Sequence, residues 1–173
     1  MAIGDKSDTT LASFLGRAPD QVAYVVHDLE AAVHEFGRKM GISRWSGWVY
    51  DEYLPRKTYR GQPATWVSRV AIPEYGPSLE IIAAEGDSIF SDFLDARGPG
   101  LHHIGYFVPS LAEAAEALEK QGMVQVQSGG GHGVDGDGEF TFFDLTGTFG
   151  SYLELIEPPQ KRFPPHFTIE TRR

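Results

Sequence analysis

The chain has 173 residues, 41% of them hydrophobic, and its 15 Lys and Arg against 24 Asp and Glu leave a formal net charge of −9. That length suits one domain or two small modules sharing a core, and the negative balance argues against a nucleic-acid backbone as partner. No cysteine is present, which removes disulfide and thiolate chemistry and fits a reducing cytoplasm.

Residues 1–18 read as an N-terminal extension. They lack the basic-then-apolar order of a signal peptide, and no apolar run in the chain approaches the ~20 residues of a membrane span. A first module is expected over 19–86. It opens on a β-rich run, Gln21 to Val26. Asp28 then caps a helix with Leu29, Ala32, Val33 and Phe36 on one face, which Gly41 stops. Trp45 to Tyr50 is a weaker strand candidate. Arg56, Lys57 and Arg60 form a basic cluster that reads either as a solvated loop or as a contact for an anionic small molecule. "TWVSRVAI" (65–72) and "SLEII" (78–82) complete the module. A linking helix over 87–100 carries Ile89, Phe90, Phe93 and Leu94.

The second module, 101–158, repeats the plan. Its strand runs from His103 to Val108, and Ser110 with Glu113 predicts a capping box. The helix shows Leu111, Ala114, Ala115 and Leu118 on one stripe before Gly122. Val124 to Gln127, "EFTFFDL" (139–145) and "YLELI" (152–156) follow as strands. Between them Ser128 to Gly138 is rich in glycine and predicts a mobile loop over a cleft, with His132 either touching substrate or a loop histidine without a role. The tail, 159–173, is broken by prolines and predicts a strap over the surface or onto a partner subunit.

From Asp20 onward the opening strand and helix of the two modules align without gaps at an offset of 82 residues, which places Gln21 on His103, Val22 on Ile104, Tyr24 on Tyr106 and Leu29 on Leu111. Each half is therefore β-α-β-β-β, and a half of about 80 residues needs the other to bury a sufficient core. Side chains alternate along a strand. If Val22, Tyr24 and Val26 face the helix, Gln21 faces away, and so does His103 in the repeat. Glu80 and Glu154 face away in the last strands. Four polar residues thus converge on one cleft. A buried carboxylate without a partner costs several kcal/mol. A divalent cation held by one imidazole, two carboxylates and an amide oxygen offsets that cost. His102, on the other side of its strand, is expected to close the turn at Gly100 or to support the site from outside. Trp45, Trp48, Tyr50, Trp66 and Phe143 read as pocket lining or plain core, and Arg69 as a cleft arginine for a substrate carboxylate or an exposed strand residue.

"QVAYVVHDLEAAV" (21–33), "GPGLHHIGYFV" (98–108) and "GSYLELIEP" (150–158) together resemble the vicinal oxygen chelate superfamily, which includes glyoxalase I, methylmalonyl-CoA epimerase and extradiol dioxygenases. The resemblance runs from about Asp20 to Pro158. It implies an α+β fold, two β-α-β-β-β modules forming a curved mixed sheet around a cleft for one divalent metal (Zn, Co, Ni, Mn or Fe). It further implies Gln21, Glu80, His103 and Glu154 as ligands, Glu154 as the primary base and Glu80 as the opposing acid or base. "GLHHI" is similar to the epimerases, but Gln21 departs from their histidine at the first-strand position. The order Gln, Glu, His, Glu looks like the zinc-type glyoxalase I set. A single ligand histidine argues against an oxygenase. The expected activity is isomerase, epimerase or lyase chemistry through a metal-bound enediolate, on a small 2-oxo, 2-hydroxy or acyl-thioester compound. The alternative is a non-catalytic small-molecule binding protein on the same scaffold. A homodimer is implied by the resemblance alone.

Overall fold

The computed structural model describes residues 16–76 and 78–171; of the expected extension, only 16–18 fall within them. Strand β1 (Gln21–Val25) leads into helix α1 (Leu29–Met40) and β2 (Arg44–Tyr50). A short hairpin of β3 (Arg56–Tyr59) and β4 (Gln62–Pro63) precedes β5 (Val67–Pro73) and β6 (Leu79–Glu85). Helix α2 (Ile89–Arg97) links to β7 (Gly100–Phe107), α3 (Leu111–Lys120), β8 (Gln125–Gly130) and β9 (Glu139–Leu145). The one-turn α4 (Thr146–Phe149), β10 (Ser151–Glu157) and β11 (Phe167–Glu170) complete the order. Among the described residues, no helix is long and apolar enough to cross a membrane.

The local signals act as the sequence predicts. Asp28 accepts the Ala31 N–H at 3.0 Å, and Gly41 ends α1 in the left-handed region at φ 73°. Ser110 accepts the Glu113 N–H at 3.4 Å. The reciprocal half of a capping box is made instead at α2, where Ser88 and Ser91 satisfy each other's backbone.

Among the described residues, eleven strands form one curled mixed sheet, a half-barrel ordered β11-β2-β5-β6-β1-β7-β10-β9-β8-β3-β4. Strands β1 and β7 run antiparallel at its centre, each with the last strand of its own module parallel beside it. The register follows the repeat: Ala23 lies opposite Glu80, and Gly105, 82 residues on from Ala23, lies opposite Glu154. The cleft is therefore built within one chain.

Two apolar clusters fill the convex side. Tyr24, Val33 and Ile81 pack under α1, and Tyr106, Leu118 and Leu155 under α3. A third occupies the concave side, where Ile89, Phe90 and Phe93 of α2 meet Ala23, Trp66, Phe140 and Phe142. Helix α2 is thus a plug as well as a linker, because three of its large side chains have only the concave face to bury against.

The hairpin β3–β4 departs from the predicted plan. It lies in the first module's sequence but pairs with β8, the outer strand of the second, so it crosses the cleft and joins the halves. The basic cluster sits there already engaged. Arg56 pairs with Glu139 at 2.6 Å and Arg60 with Asp92 at 2.9 Å, while Lys57 donates to the carbonyls of Asp51 and Trp66.

The Ser128–Gly138 segment also differs from expectation. Its first three residues are strand, and His132 in the turn beyond is buried rather than loose. The proline-broken tail is a strap on its own chain. The Val134 N–H donates to the Lys161 carbonyl and Trp48 Nε1–H to the Phe163 carbonyl, both at 2.9 Å, and β11 then pairs with β2. It passes from the second module to the first across the mouth of the cleft.

Candidate metal centre and proton-transfer site

Glu80 on β6, His103 on β7 and Glu154 on β10 are all buried, and one ligand atom from each lies within 4.8 Å of the others. Flat strands stand ~4.8 Å apart, so β6 and β10, separated by β1 and β7, would hold their carboxylates far apart. The curl of the sheet brings them together. Gln21, on the central strand β1, lines the same small cavity. The four residues expected to converge therefore do so.

Space for the group depends on Gly105. A Cβ built there would stand 3.1 Å from Glu154 Oε2 and 3.2 Å from the Gln21 Cβ.

The two adjacent histidines do not separate as strand alternation predicts. The β1–β7 register shifts, pairing Ala23 with His103 but Tyr24 with Leu101, so His102 is the extra residue of a bulge. A bulge breaks the alternation and re-aims a side chain. Both imidazoles are fully buried, with Nδ1 to Nδ1 at 2.9 Å. His102 is wrapped by Phe90, Phe93, Phe142 and Tyr152, and its Nε2 meets the Ile89 carbonyl at 3.4 Å. It touches His103 directly rather than closing the turn at Gly100.

His103 Nε2 points at the carboxylates, 3.0 Å from Glu154 Oε2 and 3.7 Å from Glu80 Oε2. These distances suit an ion pair, but burial holds every member toward its neutral form. Desolvation lowers His103 to about 3. Desolvation raises Glu154 against the opposing charge of Arg162; desolvation and the Glu154 charge raise Glu80, again against Arg162. His103 Nε2 and Glu154 Oε2 have no hydrogen-bond partner, although buried polar atoms normally find one. One imidazole and two carboxylates aimed at a common point suit a divalent cation with positions to spare, and the carboxylates would neutralise its charge. The residues fit the group.

The other expected residues divide. Trp48 lies on the concave side, its ring under the Arg162 guanidinium, and Trp66 packs there on Phe90 and Phe140. Phe143 faces α3 instead, one residue out of phase with Phe142, and Trp45 is core under α1. Arg69 also lies outside the cavity: Ser68 and Val70 point in, while Arg69 sits 3.7 Å from Glu30 and over the Phe167 ring. The cavity has additional members in Tyr50, His132 and Arg162. Burial, with Arg162 adding to it, lowers His132 to about 4 against the pull of Asp137 and a bond to Gly138. Tyr50 is one of the aromatics expected as lining or core; no local pattern marks His132 or Arg162 as cavity residues, which arrive by tertiary packing from a glycine turn and the tail.

Residues 20–143 match the model of the Glyoxalase/Bleomycin resistance protein/Dioxygenase superfamily. Among solved structures, the fold resembles a methylmalonyl-CoA epimerase from Mycobacterium tuberculosis (22% identity, TM-score 0.51, 81% of this chain and 87% of that one). It also resembles the Streptomyces coelicolor methylmalonyl-CoA epimerase in complex with 2-nitronate-propionyl-CoA (20%, 0.57, 85% and 98%). A hypothetical protein from Bacillus halodurans C-125 is similar at 18% identity and a TM-score of 0.52, with 84% and 97% covered. No curated protein matches the sequence. With the family model covering most of the chain and the half-barrel of paired β-α-β-β-β modules in place, the chain belongs to the Glyoxalase/Bleomycin resistance protein/Dioxygenase superfamily.

Proposed function

We propose that this protein is a divalent-metal-dependent isomerase or epimerase that moves a proton at a carbon next to a carbonyl. The observation that carries the reading is the buried Glu80–His103–Glu154 group, whose His103 Nε2 and Glu154 Oε2 face each other at 3.0 Å yet make no hydrogen bond among the described residues. His103, Glu80 and Glu154 would hold the ion, with the Gln21 amide oxygen as a fourth donor. A cation there would polarise the substrate carbonyl and offset the charge that develops as the proton leaves.

The remaining chemistry belongs to the chain. Glu154 takes the proton, its carboxylate lining the cavity from β10 where a carbon acid would lie. Glu80 reaches the cavity from the flanking strand of the other module and serves the opposite face of the same carbon. Proton return to that carbon gives epimerisation, and return to its neighbour gives isomerisation. Phe90, Phe140 and Phe142 line the cavity and exclude bulk water, which strengthens each electrostatic contact inside.

The test pairs metal analysis with hydrogen exchange. Purified protein should carry or take up about one divalent ion per chain, and an active carbon acid should exchange its α-proton with deuterated solvent. Glu154→Gln should lower that exchange by at least about 100-fold, the usual contribution of a positioned base. Protein that takes up no divalent ion overturns the reading.

A further inference from the structure

We propose that Arg162 binds a carboxylate, and that the substrate is a small 2-oxo or 2-hydroxy acid held between this guanidinium and the buried Glu80–His103–Glu154 group. The inference rests on the metal-dependent reading above and adds the substrate class to it.

The strap brings Arg162 to the cleft. Residues 160–166 are tied on both sides: the Gln160 N–H donates to Asp137 at 2.7 Å, Gly133 bridges Arg162, and the His166 N–H donates to the Gly47 carbonyl at 2.8 Å. The first two ties belong to the second module and the last to the first, so Arg162 is fixed above the gap between them. Its guanidinium stacks on the Trp48 ring at 5.0 Å and lines the cavity with Glu80 and Glu154.

Arg162 is also singular in what it lacks. Arg17, Arg38, Arg44, Arg56, Arg60 and Arg69 each pair with a carboxylate, and Arg97 donates to two carbonyls. Among the described residues, the Arg162 side chain alone has neither a hydrogen bond nor an ion pair. A guanidinium presents a planar fork that matches a carboxylate with two parallel hydrogen bonds, and stacking on Trp48 leaves the edge of that fork free.

Charge and size point to the same ligand. Two carboxylates balance a divalent ion, so Arg162 leaves one positive charge at the cavity, and its complement is a monoanion. The cavity is about 40 Å3, space for roughly three waters and far below the ~300 Å3 of pockets that enclose larger ligands. So small a cavity favours the smallest 2-oxo acids, for which it must still widen on binding, whereas a bulky carrier would have to lie outside the strap.

The experiment is calorimetric titration of the full chain, with and without Zn2+ or Mn2+, using oxamate and its neutral ester ethyl oxamate. Oxamate is a 2-oxo carboxylate with no hydrogen on carbon, so it binds without reacting. Oxamate should bind the metal-loaded protein and the ester at least about tenfold more weakly. Arg162→Met, which keeps an apolar stem on Trp48, should lose about tenfold or more in oxamate affinity. Arg162→Lys should recover part of it, and neither variant should lose metal affinity, because removing or keeping a positive charge beside a cation site cannot weaken the hold on the cation. Metal uptake with equal oxamate binding by wild type and Arg162→Met, or with none by either, overturns the anion site and leaves the metal centre standing. Failure of metal uptake overturns the metal reading; oxamate binding that still depends on Arg162 then upholds the anion site, and its absence overturns that too.

Discussion

His102 and His103 meet Nδ1 to Nδ1 at 2.9 Å inside a bulge of β7, and this contact fixes which nitrogen of His103 is free. One of the two nitrogens must carry the proton. If His103 Nδ1–H donates to His102 Nδ1, then His103 Nε2 keeps its lone pair toward Glu80 and Glu154. His102 must then be protonated on Nε2, where the Ile89 carbonyl accepts. The chain of bonds ends on the first residue of α2, so the linking helix orients the ligand.

His102→Leu removes the acceptor while filling the aromatic box with an apolar group. Metal affinity, measured by competition with a chelator, should fall by about 10- to 100-fold, the usual effect of losing a group that orients a ligand. His102→Asn places a carbonyl oxygen near the old Nδ1 and should recover a part of the loss. Equal affinity in wild type and His102→Leu, with the fold intact by circular dichroism, would show that the tautomer is set elsewhere.

The pH dependence of the metal-free protein follows from the same burial. Glu80 and Glu154 bind protons more tightly folded than unfolded, so their contribution to stability is present at low pH and is lost as pH rises. His102, His103 and His132 have the opposite shift, being held neutral when folded, and their penalty disappears as pH rises to ~6.5, the ordinary imidazole value. Above ~6.5 only the carboxylates of this group still act. Thermal unfolding of metal-free protein should therefore show stability falling between about pH 6.5 and about pH 8, with a slope of at most ~1.4 kcal/mol per pH unit for each group. Glu154→Gln should flatten that slope, as should a bound divalent ion. A slope unchanged in Glu154→Gln would mean that these carboxylates are not its source.

Gly105 gives the sharpest steric test. Its φ is not positive, so alanine carries no backbone strain, and the only consequence is the methyl group pressed against Glu154 Oε2 and Gln21. Gly105→Ala should lower metal affinity by about tenfold while costing ~1–3 kcal/mol of stability, the range for a tight insertion. Wild-type affinity in the variant would place the ion away from Glu154.

Much of this arrangement is legible in the sequence because it is repeated. An 82-residue offset pairs Gln21 with His103, alternation in the similar last strands puts Glu80 and Glu154 on the same face, and caps such as Asp28 and Gly41 act within a few residues of themselves. What escapes depends on distant packing. Alternation misplaces His102 because a bulge costs one residue of register and leaves no mark in "LHHI". Phe142 and Phe143 are adjacent between Thr141 and Asp144, so pattern alone cannot say which faces the cleft. The β3–β4 hairpin pairs with a strand some 70 residues away, and Arg162 arrives on a proline-broken segment with no periodicity at all.

The strap can be released without touching the cleft. Gly47 on β2 packs directly beneath the Phe167 ring of β11, and any Cβ there would overlap that ring. Gly47 lies opposite Phe167 in the β2–β11 register and opposite Ala71 on the other side, so a bulkier residue displaces the edge strand before it disturbs the central ones. Edge strands held by few contacts are the first part of a sheet to open. Gly47→Val should therefore expose the tail to limited proteolysis between Pro158 and Phe167, while the circular dichroism spectrum and the metal affinity stay near wild type. Oxamate affinity should fall in parallel with strap release, because Arg162 leaves with the segment that carries it. Strap cleavage at the wild-type rate would mean that β11 tolerates the side chain. Cleavage with undiminished oxamate binding would separate Arg162 from anion recognition.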